Sequence, residues 1–424
     1  MVRRETVDIV VVGAGQAGLS TSYWLTQHGL EHVVLEQDRI AEAWRSQRWD
    51  SFCLVTPNWT VQLPGFAYVG PEPDGFMGRD EIVAYLKAYA GSFNPPVRTG
   101  TRVTSLEQRP TGAFWLRGEG ASIEARTVVV ATGSYRVPKV PEVSRRLRAG
   151  VLQIHSSDYR NPDQLPDGAV LVVGTGQSGA QIAEELHEAG RRVFLSVSRC
   201  ARVPRRYRGK DALWWAVRGG LMERTVESLS SPAERFACHP HVSGRGGGHD
   251  INLRQLARAG VVLLGRVKSA RDGKVQLVPD LKDNLTKADE FAENILKQLD
   301  QAVSQVGMPF PEDTNPRGIG PEVPDEADPI LELDLQASGI TSIVWATGYR
   351  SEFSWIRLPV LDSWGNPIQR RGVTAVPGLL FVGLEWMHTQ KSGLLLGVGD
   401  DAAYVASAID NRANAKSQGA EVSA

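Results

Sequence analysis

The chain carries the same local pattern twice: a β-branched run, then a glycine-rich turn, then a helical stretch. The two turns are Gly13-Ala14-Gly15-Gln16-Ala17-Gly18 and Gly174-Thr175-Gly176-Gln177-Ser178-Gly179, and a second apolar strand follows each helix. Gly-x-Gly-x-x-Gly in this strand–turn–helix–strand context is the fingerprint of a dinucleotide-binding unit, whereas the glycine spacing alone is weak evidence. Two complete units predict an α/β fold with two Rossmann-like domains.

The first unit has an acidic residue at the end of its second strand. Gly13 permits the tight turn, Gly15 lets the backbone approach a pyrophosphate, and Gly18 allows close helix–strand packing. Glu36 lies about 20 residues beyond the turn, where a carboxylate accepts hydrogen bonds from the ribose and disfavours a 2′-phosphate. The unit therefore suits FAD or NAD rather than NADP. The expected contacts are Gly13, Gly15, Gln16, Gly18, Glu36 and Gln37.

The second unit ends differently, because its second strand finishes at Ser198-Arg199 without an acid. The planar fork of arginine suits a 2′-phosphate, so Arg199 and Ser198 predict NADPH in preference to NADH. Arg205 and Arg206 follow closely, and for these two a solvated face is an equal alternative. The expected contacts are Gly174, Gly176, Gln177, Ser178, Gly179, Ser198 and Arg199.

Composition excludes several classes of function. A length of 424 residues suits roughly two or three domains. A net charge of −1 gives no electrostatic case for nucleic acid or an anionic membrane, and no apolar run is long enough for a membrane span. Cys53, Cys200 and Cys238 are scattered, which argues against a disulfide framework, a zinc site and a dithiol redox centre. A reducing cytoplasm is the expected location.

Two further motifs carry a family resemblance. Gly150, His155 and Tyr159 look like the linker signature of the class B flavoprotein monooxygenases, and Trp345-Ala346-Thr347-Gly348-Tyr349 looks like their second identifying motif. With the two glycine turns, these segments most resemble the flavin-containing, N- or S-oxygenating branch, including its bacterial members. Tyr159 stands where Baeyer–Villiger members have tryptophan, which counts against that branch.

The resemblance implies FAD at the first turn, NADPH at the second, and an NADPH domain inserted in the FAD domain. Two matching strands that end in Ala-Thr-Gly, at 127–133 and 342–348, flank the second unit. The expected domains are 1–150 for the first part of the FAD domain, 151–335 for the NADPH domain, and 336–424 for the second part of the FAD domain. Within the NADPH domain, 207–328 is a helical and loop insertion: 281–306 is expected to be helical and 309–329 an irregular loop.

The resemblance also assigns individual residues. The expected FAD and NADPH contacts outside the two turns are Trp44, Arg45, Trp49, Thr56, Ala131, Thr132, Gly133, Ala346, Thr347, Gly348, Tyr349 and Gly383. Asn58 is the candidate active-site asparagine. His388 is the second catalytic candidate, as a residue lining the substrate pocket, with an ordinary hydrogen-bonded histidine as an equal alternative. A helix that opens near Gly397 is expected to direct its N-terminus at the flavin.

The chemistry implied by the resemblance needs no metal and no protein nucleophile. NADPH reduces FAD, O₂ adds to give a C4a-(hydro)peroxyflavin, and one oxygen passes to a small soft nucleophile, an amine nitrogen or a thioether sulfur. Baeyer–Villiger oxygenation of a carbonyl compound and an FAD-dependent NAD(P)H oxidase or reductase are the alternatives. The partners are then a small-molecule substrate and O₂, and a homodimer is the assembly considered. His239, His241 and His249 lie on a glycine-rich loop without a fixed ligand spacing, so no metal site is expected.

Overall fold

The computed structural model describes residues 3–118, 121–147, 150–237, 239–306, 311 and 329–421. Its largest sheet, the first sheet, is built around the strand Arg3–Val12, which pairs in parallel with His32–Leu35 and Ala121–Val130. The β-branched run of this central strand is buried on both faces, as a parallel strand covered by helices requires. In the described residues the sheet runs, in spatial order, through Gln369–Arg370, Val373–Thr374, Leu379–Phe381, Ala121–Val130, Arg3–Val12, His32–Leu35 and Val97–Arg98. Phe114–Gly118 also pairs with Ala121–Val130, and Val103–Gln108 pairs with Phe114–Gly118.

A second sheet holds the second glycine turn. Its strands are parallel and run in the order Leu152–His155, Ile340–Trp345, Ala169–Val173, Val193–Ser196 and Val262–Leu264. The two sheets confirm the predicted α/β class with two Rossmann-like domains, the second of which interrupts the first.

The strand Ile340–Trp345 corrects the expected domain limits. It lies between Leu152–His155 and Ala169–Val173 in the second sheet, although 336–424 was assigned to the FAD domain. The chain rejoins the first sheet only at Gln369–Arg370. The physical reason is that the strand has two parallel neighbours to pair with in the second sheet, and its β-branched residues are buried there.

The helices cover both sheets, and no helix of the described residues has the length and hydropathy needed to cross a membrane. Their bounds are Gln16–Gln27, Glu42–Ser46, Arg79–Phe93, Gln177–Glu188, Ala212–Arg218, Leu253–Ala259, Leu281–Val306 and Val398–Glu421. The helix predicted at 281–306 is confirmed with the same limits. Most of the loop expected at 309–329, and Cys238, lie outside the described residues. A small antiparallel sheet, Val267–Arg271, Lys274–Leu277 and Glu332–Asp334, adjoins the second sheet's core.

Buried polar contacts join the two domains. Arg205, 3 % exposed, pairs with Asp211 and donates a 2.7 Å hydrogen bond to the carbonyl oxygen of Val55 in the first domain. Tyr159 and Ser51 both donate to the carboxylate of Glu185, at 2.9 and 2.6 Å. These contacts link the two domains, and the region between the domains is called the cleft below.

Candidate functional site

The first glycine turn has the geometry of a pyrophosphate cradle. A Cβ on Gly18 would lie 1.8 Å from the carbonyl oxygen of Gly13, so only glycine lets the helix approach the turn this closely. Gly13 has a φ of +108°, and a Cβ there would meet the Ala131 oxygen at 2.6 Å. No atom lies within 4 Å of the position that a Cβ on Gly15 would occupy, and the helix that starts at Gln16 has no side-chain cap. Free N–H groups, a helix N-terminus and open space together suit a phosphate.

Glu36 is held in place by the turn itself. Its Oε2 accepts a 2.8 Å hydrogen bond from the N–H of Ala14, and its Oε1 accepts one of 3.0 Å from the N–H of Asp38. Each carboxylate oxygen keeps further lone-pair capacity, which a ribose diol can use. Gln37, the next predicted contact, accepts a hydrogen bond from Arg136. Glu36 therefore fits the role predicted for it beside a ribose.

Arg45 offers buried donors without partners. Its Nε and Nη2 are inaccessible to solvent and make no hydrogen bond to the described residues, and Nε lies 3.5 Å from the Glu42 carboxylate. Such donors are costly unless a ligand or water satisfies them, so Arg45 fits a bound anion. The indole Nε1 of Trp44 donates to Gln16 Oε1 at 3.0 Å, which ties the segment to the glycine turn. Trp49 instead packs with the second domain's core, 5.1 Å from the ring of Phe52.

Asn58 is 5 % exposed, and both ends of its amide are engaged. Its Nδ2 donates to the carbonyl oxygen of Glu72 at 3.0 Å, and its Oδ1 accepts from the N–H of Met77 at 2.8 Å. These bonds brace the loop between residues 72 and 77. The predicted catalytic role of Asn58 stays a prediction, and a structural role is visible beside it. Thr56 is half-buried in the same segment.

The second glycine turn repeats the geometry of the first. A Cβ on Gly179 would lie 1.9 Å from the Gly174 oxygen, and one on Gly174 would lie 2.5 Å from the Ala346 oxygen. Above Gly176 the space is again open, and the helix that starts at Gln177 has no acid in its first turn. Each turn thus abuts the alanine of an Ala-Thr-Gly segment, which explains why that segment occurs twice.

The arginines after this turn fall into two groups. Arg202 pairs with Asp289 at 2.9 Å and Arg205 with Asp211, so both are committed elsewhere. Arg206 donates to the carbonyl oxygen of Gly247. Arg199 is exposed and has no hydrogen bond to the part of the chain that the structure describes, and the N–H of its neighbour Ser198 donates to Thr175 Oγ1 at 3.0 Å. Of this group, Arg199 is the cation available at the end of the second strand.

Each Ala-Thr-Gly segment follows the carboxyl end of a parallel strand, Ala121–Val130 in the first sheet and Ile340–Trp345 in the second. The buried Thr132 Oγ1 has no partner among the described residues, and Gly133 and Gly348 adopt φ values of +75° and +79°. Thr347 donates through its hydroxyl to the Lys139 oxygen. Tyr349 packs edge-on against the ring of His155, 5.0 Å away. These segments line the carboxyl edges of both sheets, where ligands of open α/β folds bind.

His155, in the segment that resembles the linker signature, has both ring nitrogens in hydrogen bonds. One ring nitrogen contacts the Gly348 oxygen at 3.0 Å and the other contacts Ser157 Oγ at 3.0 Å. Burial lowers the pKa of His155. The neutral ring therefore joins the linker to the second Ala-Thr-Gly segment.

His388 lies in a loop between the strand Leu379–Phe381 and the helix Val398–Glu421. Its N–H donates to Ser392 Oγ at 3.1 Å, and its carbonyl oxygen accepts from Val226 of the second domain at 2.8 Å. Its Nδ1 is buried without a described partner. Asp401, 3 % exposed at the start of the helix, has its pKa raised by burial. The loop leaves polar groups available, and a catalytic role of His388 stays a prediction.

Gly383 joins the first domain's two halves, since a Cβ there would meet the Ala17 side chain at 2.3 Å. Two residues later, Glu385 accepts a hydrogen bond from the Tyr135 hydroxyl and lies 3.7 Å from His239 Nε2. Neither Tyr135 nor Glu385 is among the residues predicted from the sequence. The one sequence feature they share is their position, because each stands two residues after a glycine, Gly133 or Gly383, that ends a predicted strand segment of the FAD domain. Among the described residues, no group of three or more His, Cys, Asp or Glu side chains forms a metal ligand set.

Comparison with known proteins agrees with this geometry. The family of pyridine nucleotide-disulphide oxidoreductases matches residues 10–213. A protein described as an uncharacterized CzcO-like oxidoreductase, from Geobacillus kaustophilus, is 35 % identical over 96 % of this chain and 99 % of its own length. The indole-3-pyruvate monooxygenase YUCCA1 of Oryza sativa is 27 % identical over 95 % of this chain and 92 % of its own.

A solved structure shares the fold. The flavin-containing monooxygenase of Stenotrophomonas maltophilia superposes with a TM-score of 0.63 at 20 % identity, covering 96 % of this chain and 99 % of its own. The relative from Geobacillus kaustophilus extends the likeness to sequence over nearly all of both chains. The chain therefore belongs to the CzcO-like oxidoreductases, enzymes of the flavin-containing monooxygenase-like class that its motifs resemble.

Proposed function

We propose that the chain is an NADPH- and FAD-dependent monooxygenase that transfers one oxygen atom of O₂ to a small soft nucleophile. The observation that carries this proposal is the difference between two otherwise equal glycine turns. One ends in the carboxylate of Glu36, which suits the free ribose of FAD, and the other ends in the unengaged guanidinium of Arg199, which suits a 2′-phosphate. A unit for each dinucleotide supports hydride transfer between them.

The residues present fit FAD at the first turn. The backbone at Gly15 and the first turn of the helix would hold the pyrophosphate, Glu36 the adenosine ribose, and Arg45 a further phosphate oxygen. When bound, FAD supplies the electron transfer and O₂ activation that no side chain provides. The protein positions both nucleotides, excludes water from the cleft and supplies hydrogen-bond donors.

Proton transfer is proposed to take place where the loop of His388 meets the first turn of the helix Val398–Glu421. Ser392 Oγ is fixed by the N–H groups of His388 and Thr389, at 3.1 and 3.0 Å. Burial keeps Asp401 more readily protonated than an ordinary aspartate, because it raises the pKa of this carboxyl. Asp401 can then hold a proton beside Ser392 while the cleft is closed to water.

The proposed substrate is an amine or a thioether. Oxygenation of a carbonyl compound is a second candidate, supported by the likeness to an enzyme named for indole-3-pyruvate, a 2-oxo acid. We place the enzyme in the cytoplasm, acting on small molecules, and consider a homodimer as its assembly.

The test measures how NADPH consumption is divided between product and H₂O₂. Purified FAD-loaded protein is supplied with NADPH and O₂ together with amines, thioethers or 2-oxo acids. Substrate-stimulated consumption with one product per NADPH supports the proposal, and the substrate class that gives it decides between the two candidates. Consumption that yields only H₂O₂ with every substrate would show an oxidase instead. Electron transfer to a disulfide or quinone without O₂ would show a reductase.

A further inference from the structure

Three side chains from distant parts of the sequence meet in the cleft between the domains. The hydroxyl of Tyr135 donates to Glu385 Oε1, and His239 Nε2 lies 3.7 Å from the same oxygen. We call Tyr135, Glu385 and His239 the clasp. Tyr135 is 46 % exposed, and the side chains of Glu385 and His239 are 35 % and 60 % exposed. The clasp therefore lines the cleft rather than the core of either domain.

Two members of the clasp extend from the proposed FAD site. Tyr135 stands two residues after Gly133, at the carboxyl end of the strand Ala121–Val130. Glu385 stands two residues after Gly383, which touches Ala17 in the helix of the first glycine turn. Its own N–H lies 3.4 Å from Ser134 Oγ in the neighbouring segment. The carboxylate is thereby fixed to the FAD side of the cleft.

The third member belongs to a segment bound to the second glycine turn. His241, two residues after His239, donates through Nε2 to the Thr175 oxygen at 2.6 Å. Val242 accepts a 2.8 Å hydrogen bond from Gln177 Nε2 and donates one of 3.2 Å to Gln177 Oε1. Segment 239–242 is thus attached to the turn proposed to hold NADPH, and the clasp connects that segment to the opposite side of the cleft.

We propose that Glu385 is a positioning residue: through His239 it fastens segment 239–242, and with it the second glycine turn, to the FAD side of the cleft. The inference rests on the proposed binding of NADPH at that turn. A fastened segment presents the turn to the nucleotide in its binding conformation, so less ordering is required when the nucleotide binds. Loss of the clasp therefore weakens nucleotide binding without removing any direct contact.

The charges of the clasp make it sensitive to pH. The neighbouring Glu385 carboxylate raises the pKa of His239 above its usual value. Burial opposes ionisation of Glu385, but His239 and Tyr135 hold the pKa of its carboxyl below the usual range. Two further titratable groups of the described residues act on Tyr135: Tyr349, whose ring lies 5.5 Å from the Tyr135 ring, and Arg48, which interacts with it electrostatically. The ion pair is therefore fully formed below about pH 6.5, the ordinary pKa of histidine, and is lost as the pH rises through the raised pKa of His239.

The test is the dissociation constant of NADP⁺ from the FAD-loaded protein, measured through the change in flavin absorbance. The variants are Glu385→Gln, His239→Gln and Tyr135→Phe, and Glu107→Gln, which breaks a surface ion pair with Arg117, is the matched control. We expect the first two to weaken binding about tenfold at pH 7, the control to bind as the wild type does, and Tyr135→Phe to have a smaller effect. Thermal unfolding of each variant verifies that it folds.

The pH dependence provides the second readout. Above pH 7 the 2′-phosphate, whose pKa is about 6, no longer titrates, so it does not obscure the result. Wild-type affinity is expected to weaken from pH 7 to pH 9, and Glu385→Gln is expected to abolish this dependence. Equal NADP⁺ affinity in the wild type, Glu385→Gln and His239→Gln would overturn the inference alone. A wild type that binds no NADP⁺ would overturn the proposed function and this inference together. If Glu385→Gln does not fold, the NADP⁺ affinity of His239→Gln, a substitution at an exposed side chain, tests the inference.

Discussion

The Cα of Gly18 lies so close to the carbonyl oxygen of Gly13 that a Cβ would stand 1.8 Å from it. This contact brings the N-terminus of the helix Gln16–Gln27 under the turn and orients its free N–H groups towards the open space above Gly15. The same relationship, at 1.9 Å, holds between Gly179 and Gly174. Each proposed nucleotide site therefore depends on one glycine whose place no residue with a Cβ could take.

Gly18→Ala is expected to abolish FAD binding, because the backbone atom it meets cannot move without opening the turn. Gly91→Ala is the matched control: Gly91 is an exposed residue of the helix Arg79–Phe93 with nothing within 4 Å of an added Cβ. That control should gain about 0.5–1 kcal/mol of stability, since alanine is the better helix former. The measurements are the flavin-to-protein ratio after purification and the midpoint of thermal unfolding. Normal flavin content in Gly18→Ala would contradict the assignment of this turn.

Arg45→Met is expected to weaken FAD binding about 10- to 100-fold, because a charge-assisted hydrogen bond to a phosphate is lost. The apoprotein should lose little stability, since Nε and Nη2 of Arg45 make no hydrogen bond to the described residues and the Glu42 carboxylate lies 3.5 Å from Nε. Arg39→Met is the control, as Arg39 is 65 % exposed and pairs with the same Glu42. The readout is the rise in unfolding temperature when FAD is added, which falls for Arg45→Met and not for Arg39→Met. Equal shifts in both variants would remove Arg45 from the FAD site.

Arg199→Ala is expected to lower kcat/KM for NADPH about 10- to 100-fold and to leave NADH nearly unchanged, because only NADPH carries the 2′-phosphate. Arg206→Ala serves as the comparison, since its guanidinium donates to a backbone carbonyl instead. Steady-state rates with both nucleotides measure the preference. If the ratio of kcat/KM for NADPH to kcat/KM for NADH is unchanged in Arg199→Ala, residues other than Arg199 distinguish the two nucleotides.

Asn58→Ala is expected to lower the free energy of unfolding by about 2–4 kcal/mol, because the buried N–H of Met77 and the carbonyl of Glu72 both lose their partner. Chemical denaturation of the wild type and the variant measures the difference. A variant of wild-type stability that loses oxygenation would instead support the catalytic role predicted for Asn58.

Stability is expected to fall as the pH drops below about 6.5, the ordinary pKa of histidine. Burial lowers the pKa of His241 and of His155 in the folded protein. The unfolded chain therefore binds protons at these rings first, and the stability present above pH 6.5 is lost as the pH falls towards their folded pKa values. Denaturant unfolding at pH 7.5, 6.5 and 5.5 measures this loss, which is at most about 1.4 kcal/mol per pH unit for one ring. His241→Asn should show a shallower slope, and an identical slope would exclude His241 as a contributor.

Sequence patterns located the features that depend on local backbone geometry. Both glycine turns and the helix Leu281–Val306 follow from glycine spacing and from apolar periodicity, which reflect the nearest residues along the chain. The prediction that Ile340–Trp345 belongs to the FAD domain was wrong. A β-branched strand that ends in Ala-Thr-Gly fits either sheet, and its pairing partners, which lie far away in sequence, determine which sheet it joins.

The cleft residues were the hardest to predict. Tyr135 and Glu385 are separated by 250 positions, and neither belongs to a motif whose chemistry is readable on its own. Arg205 shows the reverse case, since it looked available for phosphate until its buried pairing with Asp211 was seen. Contacts of this kind depend on tertiary packing, which residue spacing does not encode.

The position of Ile340–Trp345 between Leu152–His155 and Ala169–Val173 has a consequence for how the chain is made. While the ribosome is still producing the residues before 340, the two flanking strands emerge without the partner that separates them, and both present unpaired edges. The second domain can acquire its native order only after more than three quarters of the chain has been synthesised. A fragment cut at residue 335 would lack an inner strand of its own sheet, so a soluble excised domain must extend beyond Trp345.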